Sequence, residues 1–135
     1  MVQIGLRTTG YSAEDFDWAR QQGARVVPAE DCWHKSLTPL MDEVRGKIGP
    51  DVPTYLSFDI DGLDPSIAPG TGTPEPGGRT SIQGIEIIRG CWGLNVVGAD
   101  LVEVSPPYDT TGNTSLLAAN LIFEMLCSFP GCKRR

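Results

Sequence analysis

The sequence of 135 residues has a single histidine, His34, and more acidic than basic side chains, with a net charge of −6. This acidic balance argues against nucleic acid or an anionic membrane surface as a partner. The chain also lacks an apolar run of the ~20 residues that span a bilayer. Its longest run, LLAANLIFEML, is interrupted by Asn120 and Glu124, so we predict no transmembrane helix.

The cysteines show no C-x-x-C pair and no spacing typical of a zinc site. They are Cys32, Cys91, Cys127 and Cys132. We therefore predict free thiols rather than disulfides or metal ligands. The first residues, MVQIGLR, resemble neither a signal peptide nor a transit peptide, and the length is that of one domain.

Strand-like and helical patterns of apolar residues alternate along the chain. Strands are predicted at residues 2–7, 24–31, 53–61 and 95–106. Helices are predicted at 12–23 with Ser12 as N-cap, at 36–49, at 81–93, and at 115–129 capped by Asn113 or Thr114. The order βαβαβαβα predicts an α/β fold, in which helices pack on the faces of a parallel sheet.

Two of these segments are more apolar than the others. The strand at 53–61 is apolar almost throughout, as a parallel strand covered on both faces requires. The helix at 115–129 is apolar on nearly every side, so we predict that it is buried.

Asp59 and Asp61 lie two residues apart at the end of the third predicted strand. In a strand, such residues point to one face, about 6.5–7 Å apart, and open α/β sheets hold ligands at the carboxyl ends of strands. Two carboxylates that converge away from water need a cation or protons to offset their repulsion. Oxygen donors of this kind suit magnesium, manganese or calcium. Alternatively, the aspartates only cap turns around Gly62 and Pro65.

Two other aspartate motifs fit this segment less well. An EF-hand loop would need its glycine later than Gly62 and a glutamate where Gly70 stands. The D-x-D-G-T motif of haloacid dehalogenase phosphatases would need a threonine in place of Leu63. Such a magnesium phosphatase also needs a downstream lysine, whereas the only lysine after Asp61 is Lys133.

The segment SFDIDGLDPSIAPGTGTPEPGG (57–78) resembles the ureohydrolase family, the binuclear manganese enzymes that include arginase and agmatinase. The family pattern is matched by Ser57, Asp59, Asp61, Pro65, Pro69, Gly70 and Gly78. A second block, DLVEVSPPYDTTGNTSLLAANLIFEML (100–126), resembles the same family, and its EVSPPYD is closest to the agmatinase branch that includes the vertebrate mitochondrial enzymes. The resemblance implies that this chain is the C-terminal half of a three-layer α/β/α domain.

By this resemblance, the complete enzyme hydrolyses a guanidino compound, either agmatine or a guanidino acid, to urea and an amine with two manganese ions. Asp59 would bridge both ions, and Asp61 would bind one of them. Glu103 would pair with the planar guanidinium of the substrate in a charge-assisted contact. Thr73 would line the substrate pocket. His34 matches no ligand position of the family, and we interpret it as a surface or capping residue.

The family motifs GGDH and DAHxD, which carry the remaining ligands, are absent from the sequence. The resemblance therefore implies that residues 1–135 are a partial domain without its N-terminal metal-binding half. We expect the isolated chain to be inactive, to bind manganese weakly and to expose an edge strand. The complete enzyme is expected to be mitochondrial and homo-oligomeric. The alternative is a non-catalytic short product that associates with full-length subunits.

Overall fold

The computed structural model describes residues 1–7 and 14–132, so the predicted N-cap at Ser12 lies outside the described residues. The strands are β1 (Val2–Leu6), β2 (Arg25–Pro28), β3 (Pro53–Asp59) and β4 (Asn95–Val102). The helices are α1 (Asp15–Gln21), α2 (Thr38–Ile48), α3 (Ser81–Gly90) and α4 (Asn113–Ser128). Short 3-10 turns lie at Glu30–Cys32, Ile60–Gly62 and Pro106–Tyr108. The predicted alternation of strands and helices is confirmed.

The strands pair in two parallel ladders. Strand β1 pairs with β2, and β3 pairs with β4, so the described residues form two two-stranded sheets. The register places Asp59, the last residue of β3, opposite Val102, the last residue of β4. The carboxyl ends of β3 and β4 therefore lie side by side, and the predicted α/β fold with parallel strands is confirmed.

Helices α2, α3 and α4 cover one face of β3. On that face, Leu56 and Phe58 pack with two clusters of buried side chains that come from these helices and the neighbouring strands. Tyr55 points to the opposite face and is 62% exposed. The prediction that both faces of this strand are covered is wrong for the described residues, because the three helices all pack on the same side.

Local sequence signals mark the start and the end of α2 and the start of α3. Pro39 lies in the first turn of α2, where its missing N–H costs no helical hydrogen bond. Gly49 ends α2 with a φ of +84°, a conformation that favours glycine. Helix α3 begins with a reciprocal capping box, in which Thr80 and Gln83 each accept a hydrogen bond from the other's backbone N–H.

Helix α4 is capped from outside the helix. The carboxylate of Asp109 accepts hydrogen bonds from the backbone N–H groups of Thr114 (3.1 Å) and Ser115 (2.8 Å). The prediction that Asn113 or Thr114 caps this helix is wrong, because Asn113 is already its first residue. The Thr114 hydroxyl is buried and instead accepts a hydrogen bond from the N–H of Gly70 at 2.9 Å.

Only part of α4 is buried. Leu121 and Met125 lie in the core, whereas Leu116, Phe123 and Leu126 are exposed. The prediction that the whole helix is buried is therefore wrong for the described structure, because α4 packs on α3 and β4 with one side only. None of the described helices is both long and apolar enough to cross a membrane.

The cysteines are free, as predicted. Cys32 and Cys91 are buried, and Cys132 is exposed. Loss of contact with water raises the pKa of Cys91 to about 11, so this thiol stays protonated at neutral pH. Both buried thiols therefore act as small apolar side chains of the core.

Candidate metal and substrate site

Asp59 and Asp61 come together at a turn, not along a strand. Strand β3 ends at Asp59, and Asp61 lies in the following 3-10 turn at Ile60–Gly62. The backbone N–H of Asp61 donates a hydrogen bond to Oδ1 of Asp59 at 2.8 Å. The prediction that Asp59 and Asp61 point to one face of a strand is therefore wrong, because Asp61 lies in a turn. Asp59 caps this turn, as the alternative interpretation expected.

Of the two carboxylate oxygens of Asp61, one accepts a hydrogen bond and the other has no partner among the described residues. Oδ2 accepts a hydrogen bond from the hydroxyl of Thr73 at 2.5 Å. Oδ1 is buried and has no hydrogen-bond partner among the residues that the structure describes. A buried carboxylate oxygen without a partner is costly, and it is the kind of donor that a hard cation such as manganese accepts.

The surroundings of Asp59 disfavour its negative charge. Partial loss of hydration raises the pKa of Asp59, and the charges of Asp61 and Glu103 raise it further, although the N–H of Asp61 offsets part of this effect. Asp61 lies in the turn that follows Asp59, and Glu103 follows the end of the neighbouring strand β4. A bound cation would remove the unfavourable interaction among them.

Glu103 directly follows β4, one residue beyond the Asp59–Val102 pair. Its φ of +68° lies in the left-handed region, which a residue with a Cβ seldom occupies. Strained residues of this kind concentrate at functional sites, where the surrounding structure holds them in place. This strained residue lies next to the paired ends of β3 and β4, where Asp59 is the last residue of β3.

The loop that carries Thr73 is fixed to the segment after Glu103. The N–H of Ser105 donates to the carbonyl of Gly70 at 2.8 Å, and Thr71 forms an antiparallel bridge with Val104. The structure therefore brings together all four residues predicted for the site, on elements that end at one edge of the fold. They are Asp59, Asp61, Thr73 and Glu103.

Two arginines that the sequence analysis missed support the site. Arg7, directly after β1, donates to the backbone carbonyls of Asp61 (2.5 Å) and Glu75 (2.6 Å). Arg79 is 5% exposed, and its Nη1 donates to the carbonyl of Ile4 at 2.7 Å. The one signal for Arg7 was its position as the last residue of the strand predicted at 2–7. Arg79 and Ile4 are 75 residues apart in sequence, so no local pattern links them.

The residues present fit only part of a metal site. Across residues 1–7 and 14–132, no group of three or more His, Cys, Asp or Glu side chains is arranged to hold a metal ion. His34, the single histidine, is exposed. Asp59 and Asp61 therefore supply suitable oxygen donors, and a complete coordination shell needs donors from elsewhere.

Comparison with known proteins identifies the family. A model of the arginase family matches residues 1–127. The chain belongs to the arginase family. This membership removes the haloacid dehalogenase interpretation of the D-x-D-G segment and agrees with the resemblance carried by residues 57–78 and 100–126.

Relatives of this arginase-family chain are named as hydrolases of guanidino compounds. A guanidinobutyrase of Pseudomonas aeruginosa is 72% identical over 135 residues, which is all of this chain and 42% of the relative. The mitochondrial guanidino acid hydrolase of Homo sapiens is 64% identical over 96% of this chain and 37% of the relative. This chain thus spans less than half the length of either relative.

Solved structures show the same fold. Proclavaminate amidino hydrolase from Streptomyces clavuligerus superposes with a TM-score of 0.88 at 43% identity, over 96% of this chain and 42% of that one. Arginase from Bacillus caldovelox superposes with a TM-score of 0.82 at 28% identity, over 92% of this chain and 42% of that one. The two pairs of parallel strands are therefore part of an arginase-type α/β domain.

Proposed function

We propose that residues 1–135 are the C-terminal portion of a manganese-dependent guanidino hydrolase, which releases urea and an amine-containing product in its complete form. The observation that carries this proposal is the buried Oδ1 of Asp61, which has no partner among the described residues although Asp59 lies beside it. Bound manganese supplies a water of lowered pKa, which is a usable nucleophile at neutral pH. Asp59 and Asp61 would hold the metal.

The other residues of the site would bind the substrate or orient the metal ligands. Glu103 is a carboxylate in a strained conformation beside Asp59, and its charge suits the forked N–H donors of a guanidinium. Thr73 fixes the orientation of the Asp61 carboxylate through Oδ2, which leaves Oδ1 to the metal. Arg7 holds the backbone of the same turn through the carbonyl of Asp61.

A guanidino acid is the substrate class we favour. The relative with 72% identity is named guanidinobutyrase, and the human relative is named guanidino acid hydrolase. Agmatine is the second candidate, because a relative from Gallus gallus with 63% identity is named mitochondrial agmatinase. The mitochondrial location rests on such vertebrate names only, and both this location and the homo-oligomeric state stay predictions.

The test is urea release by the complete protein loaded with manganese, with 4-guanidinobutyrate and agmatine as substrates. We expect D59A and D61A each to lower kcat/KM by more than about 100-fold. Removing a residue that only hydrogen-bonds a metal ligand costs about 10- to 100-fold, and loss of the ligand itself should cost more. Asp51→Ala is the matched control, because this exposed aspartate precedes β3 at its other end. Unchanged turnover in D59A and D61A would refute the assignment.

The chain of residues 1–135 provides a second test of the same proposal. We expect no urea release from it and weak manganese binding, because two aspartates do not complete a coordination shell. Isothermal titration with manganese and the urea assay measure both quantities. Turnover by this chain alone would show that its own residues suffice and that the partial-site interpretation is wrong.

A further inference from the structure

Two of the four cysteines lie together at the C-terminal end of α4. Cys127 is in the last turn of this helix and is half-buried, whereas Cys132 follows the helix and is exposed. Both line a cavity of about 420 Å³, together with residues that precede β3 and β4, among them Asp51 and Gly93. We call Cys127 and Cys132 the C-terminal thiol pair.

This cavity lies at the opposite ends of β3 and β4 from the candidate metal and substrate site. It is lined by Asn95, the first residue of β4, whereas Asp59 is the last residue of β3 and pairs with the last residue of β4. The C-terminal thiol pair is therefore separate from the carboxylates, and the proposed hydrolysis does not use it.

The sequence FPGC folds the chain back on itself at residues 129–132. The N–H of Cys132 donates to the carbonyl of Phe129 at 3.3 Å. Pro130 in the second position and Gly131 in the third, with a φ of +89°, are the residues that a type II turn prefers. Proline restricts φ to a value that suits the turn, and glycine adopts a positive φ without a Cβ penalty. The turn is therefore specified by local sequence.

The turn returns the sulfur of Cys132 to the end of the helix. Sγ of Cys132 donates a hydrogen bond to the carbonyl oxygen of Leu126 at 3.2 Å. A trans peptide holds this oxygen about 2.8 Å from Cα of Cys127, so the Cys132 sulfur lies within about 6 Å of that Cα. Rotation of the two side chains and a small shift of the turn can close this gap to a disulfide bond.

The other two cysteines are unsuited to the same chemistry. Cys32 and Cys91 are buried. Loss of hydration raises the pKa of both thiols, to about 11 for Cys91. Thiol–disulfide exchange requires an accessible thiolate, and exposed Cys132 is the cysteine that has a second cysteine of the same cavity beside it.

We propose that the C-terminal thiol pair is a site of reversible modification, at which a low-molecular-weight disulfide such as oxidised glutathione converts Cys127 and Cys132 to an intramolecular disulfide. The thiolate of Cys132 attacks one sulfur of oxidised glutathione, whose S–S bond breaks, and the released glutathione thiolate takes up the proton that Cys132 lost. Cys127 then attacks the Cys132 sulfur of the mixed disulfide and displaces the second glutathione, which takes up the proton of Cys127. The pair loses two electrons, and oxidised glutathione gains them as it becomes two thiols.

The test is equilibration of the complete protein with mixtures of reduced and oxidised glutathione, followed by differential labelling of the thiols. Free thiols are blocked with N-ethylmaleimide under denaturing conditions, and thiols released by later reduction take its heavy-isotope form. Mass spectrometry of digests should find equal heavy label at Cys127 and Cys132, and light label at Cys32 and Cys91. Heavy label at one member of the pair only, or at neither member in excess oxidised glutathione, would overturn the proposal.

Two glycine variants separate the effect of the turn from that of the thiols. Gly131→Ala places a Cβ on a residue with a φ of +89°, where it would meet no atom within 4 Å, so the turn is strained without a clash. The ratio of disulfide to dithiol should fall about fivefold to thirtyfold at a fixed glutathione ratio. Gly93→Ala is the matched control, because Gly93 lines the same cavity, has a φ of +96° and also has no atom near its Cβ position. Equal ratios in G131A and G93A would contradict the role of the turn.

Serine variants decide which thiol reacts first and whether the bond is intramolecular. C127S should accumulate the mixed disulfide of Cys132 with glutathione, whereas C132S should leave half-buried Cys127 reduced. Equal oxidation of C132S and the parent protein would contradict the attack by Cys132. Gel electrophoresis of the parent without reductant should show a single chain, and a disulfide-linked dimer would show that the bond joins two copies, contrary to the proposal. Circular dichroism checks that the variants keep their fold, and none of these readouts depends on hydrolase activity.

Discussion

The hydroxyl of Thr73 lies 2.5 Å from Oδ2 of Asp61 and donates a hydrogen bond to it. This contact links the loop that follows the 3-10 turn at Ile60–Gly62 to the side chain of Asp61 in that turn. Because Oδ1 of the same side chain has no partner among the described residues, this oxygen is the one that would bind the proposed metal ion. A residue predicted to line the substrate pocket thus also orients a candidate metal ligand.

Thr73→Val should weaken manganese binding by the complete protein. The valine side chain keeps the shape of threonine but removes the hydrogen bond to a charged acceptor, which is worth about 1.5–3 kcal/mol. We expect an increase of about tenfold or more in the manganese Kd, measured by calorimetry. Thr73→Ser keeps the hydroxyl and serves as the control; equal Kd values for the two variants would show that the contact does not position Asp61.

Gly70→Ala should destabilise the isolated chain, whereas Gly72→Ala in the same loop should not. A Cβ at Gly70 would lie 2.5 Å from Cβ of Asp109 and 2.9 Å from the hydroxyl of Thr114. A Cβ at Gly72 would meet no atom within 4 Å. We expect G70A to lose about 1–3 kcal/mol of unfolding free energy in urea denaturation. Equal stability of the two variants would contradict the close packing of the loop on α4.

The cap of α4 should make stability depend on acid pH. Hydrogen bonds from the Ser115 hydroxyl, then from the N–H groups of Ser115 and Thr114, lower the pKa of Asp109. Because the folded pKa lies below the unfolded one, this stabilisation is present above the unfolded value and is lost as the pH falls through the folded pKa. Asp109→Asn keeps one acceptor oxygen where the carboxylate uses two, so it should lower Tm at pH 7 by roughly 5 °C.

The difference in Tm between the parent chain and D109N should begin to shrink below about pH 4, where the aspartate is protonated in the unfolded chain, and should vanish as the pH falls through the lower pKa of the folded state. Thermal melts followed by circular dichroism across this range measure it. Asp51→Asn removes an exposed aspartate ahead of β3 and is the control. A Tm difference for D109N that stays constant with pH would exclude the charged form of Asp109 as the cap.

Arg79→Met should not destabilise the isolated chain. The guanidinium of Arg79 is buried, its Nε has no partner among the described residues, and burial lowers its pKa. No ion pair of Arg79 is found among the described residues, so Arg79→Met removes a buried charge without leaving an opposite charge unpaired, and it loses only the hydrogen bond to Ile4. We expect the unfolding free energy to stay within about 1 kcal/mol of the parent value or to rise. Exposed Arg20 provides the control, R20M; a large loss in R79M alone would contradict this reading.

Much of the fold followed from local sequence patterns. The alternation of strands and helices, the free cysteines and the position of Asp59 at the end of a parallel strand were all predicted, because each depends on periodicity or on neighbours in sequence. The burial of both faces of β3 was predicted wrongly. Helices α2, α3 and α4 all pack on the face of Leu56 and Phe58, and Tyr55 on the other face is exposed.

The finer geometry of the site could not be predicted from the sequence. The pairing of Asp61 with Thr73 depends on a loop that Gly70 and Thr114 attach to α4, across 44 residues of chain. The same holds for Arg79, whose contact with Ile4 appears only after β1 and β3 are placed. The wrong prediction of the α4 cap has a similar cause, since the Thr114 hydroxyl accepts a hydrogen bond from Gly70 in the loop and does not cap its own helix.

Anomalous diffraction at the manganese edge, from crystals of the complete protein, tests the proposed metal site most directly. We expect manganese within bonding distance of carboxylate oxygens of both Asp59 and Asp61, including Oδ1 of Asp61. Manganese bound elsewhere, with both aspartates facing solvent, would contradict it.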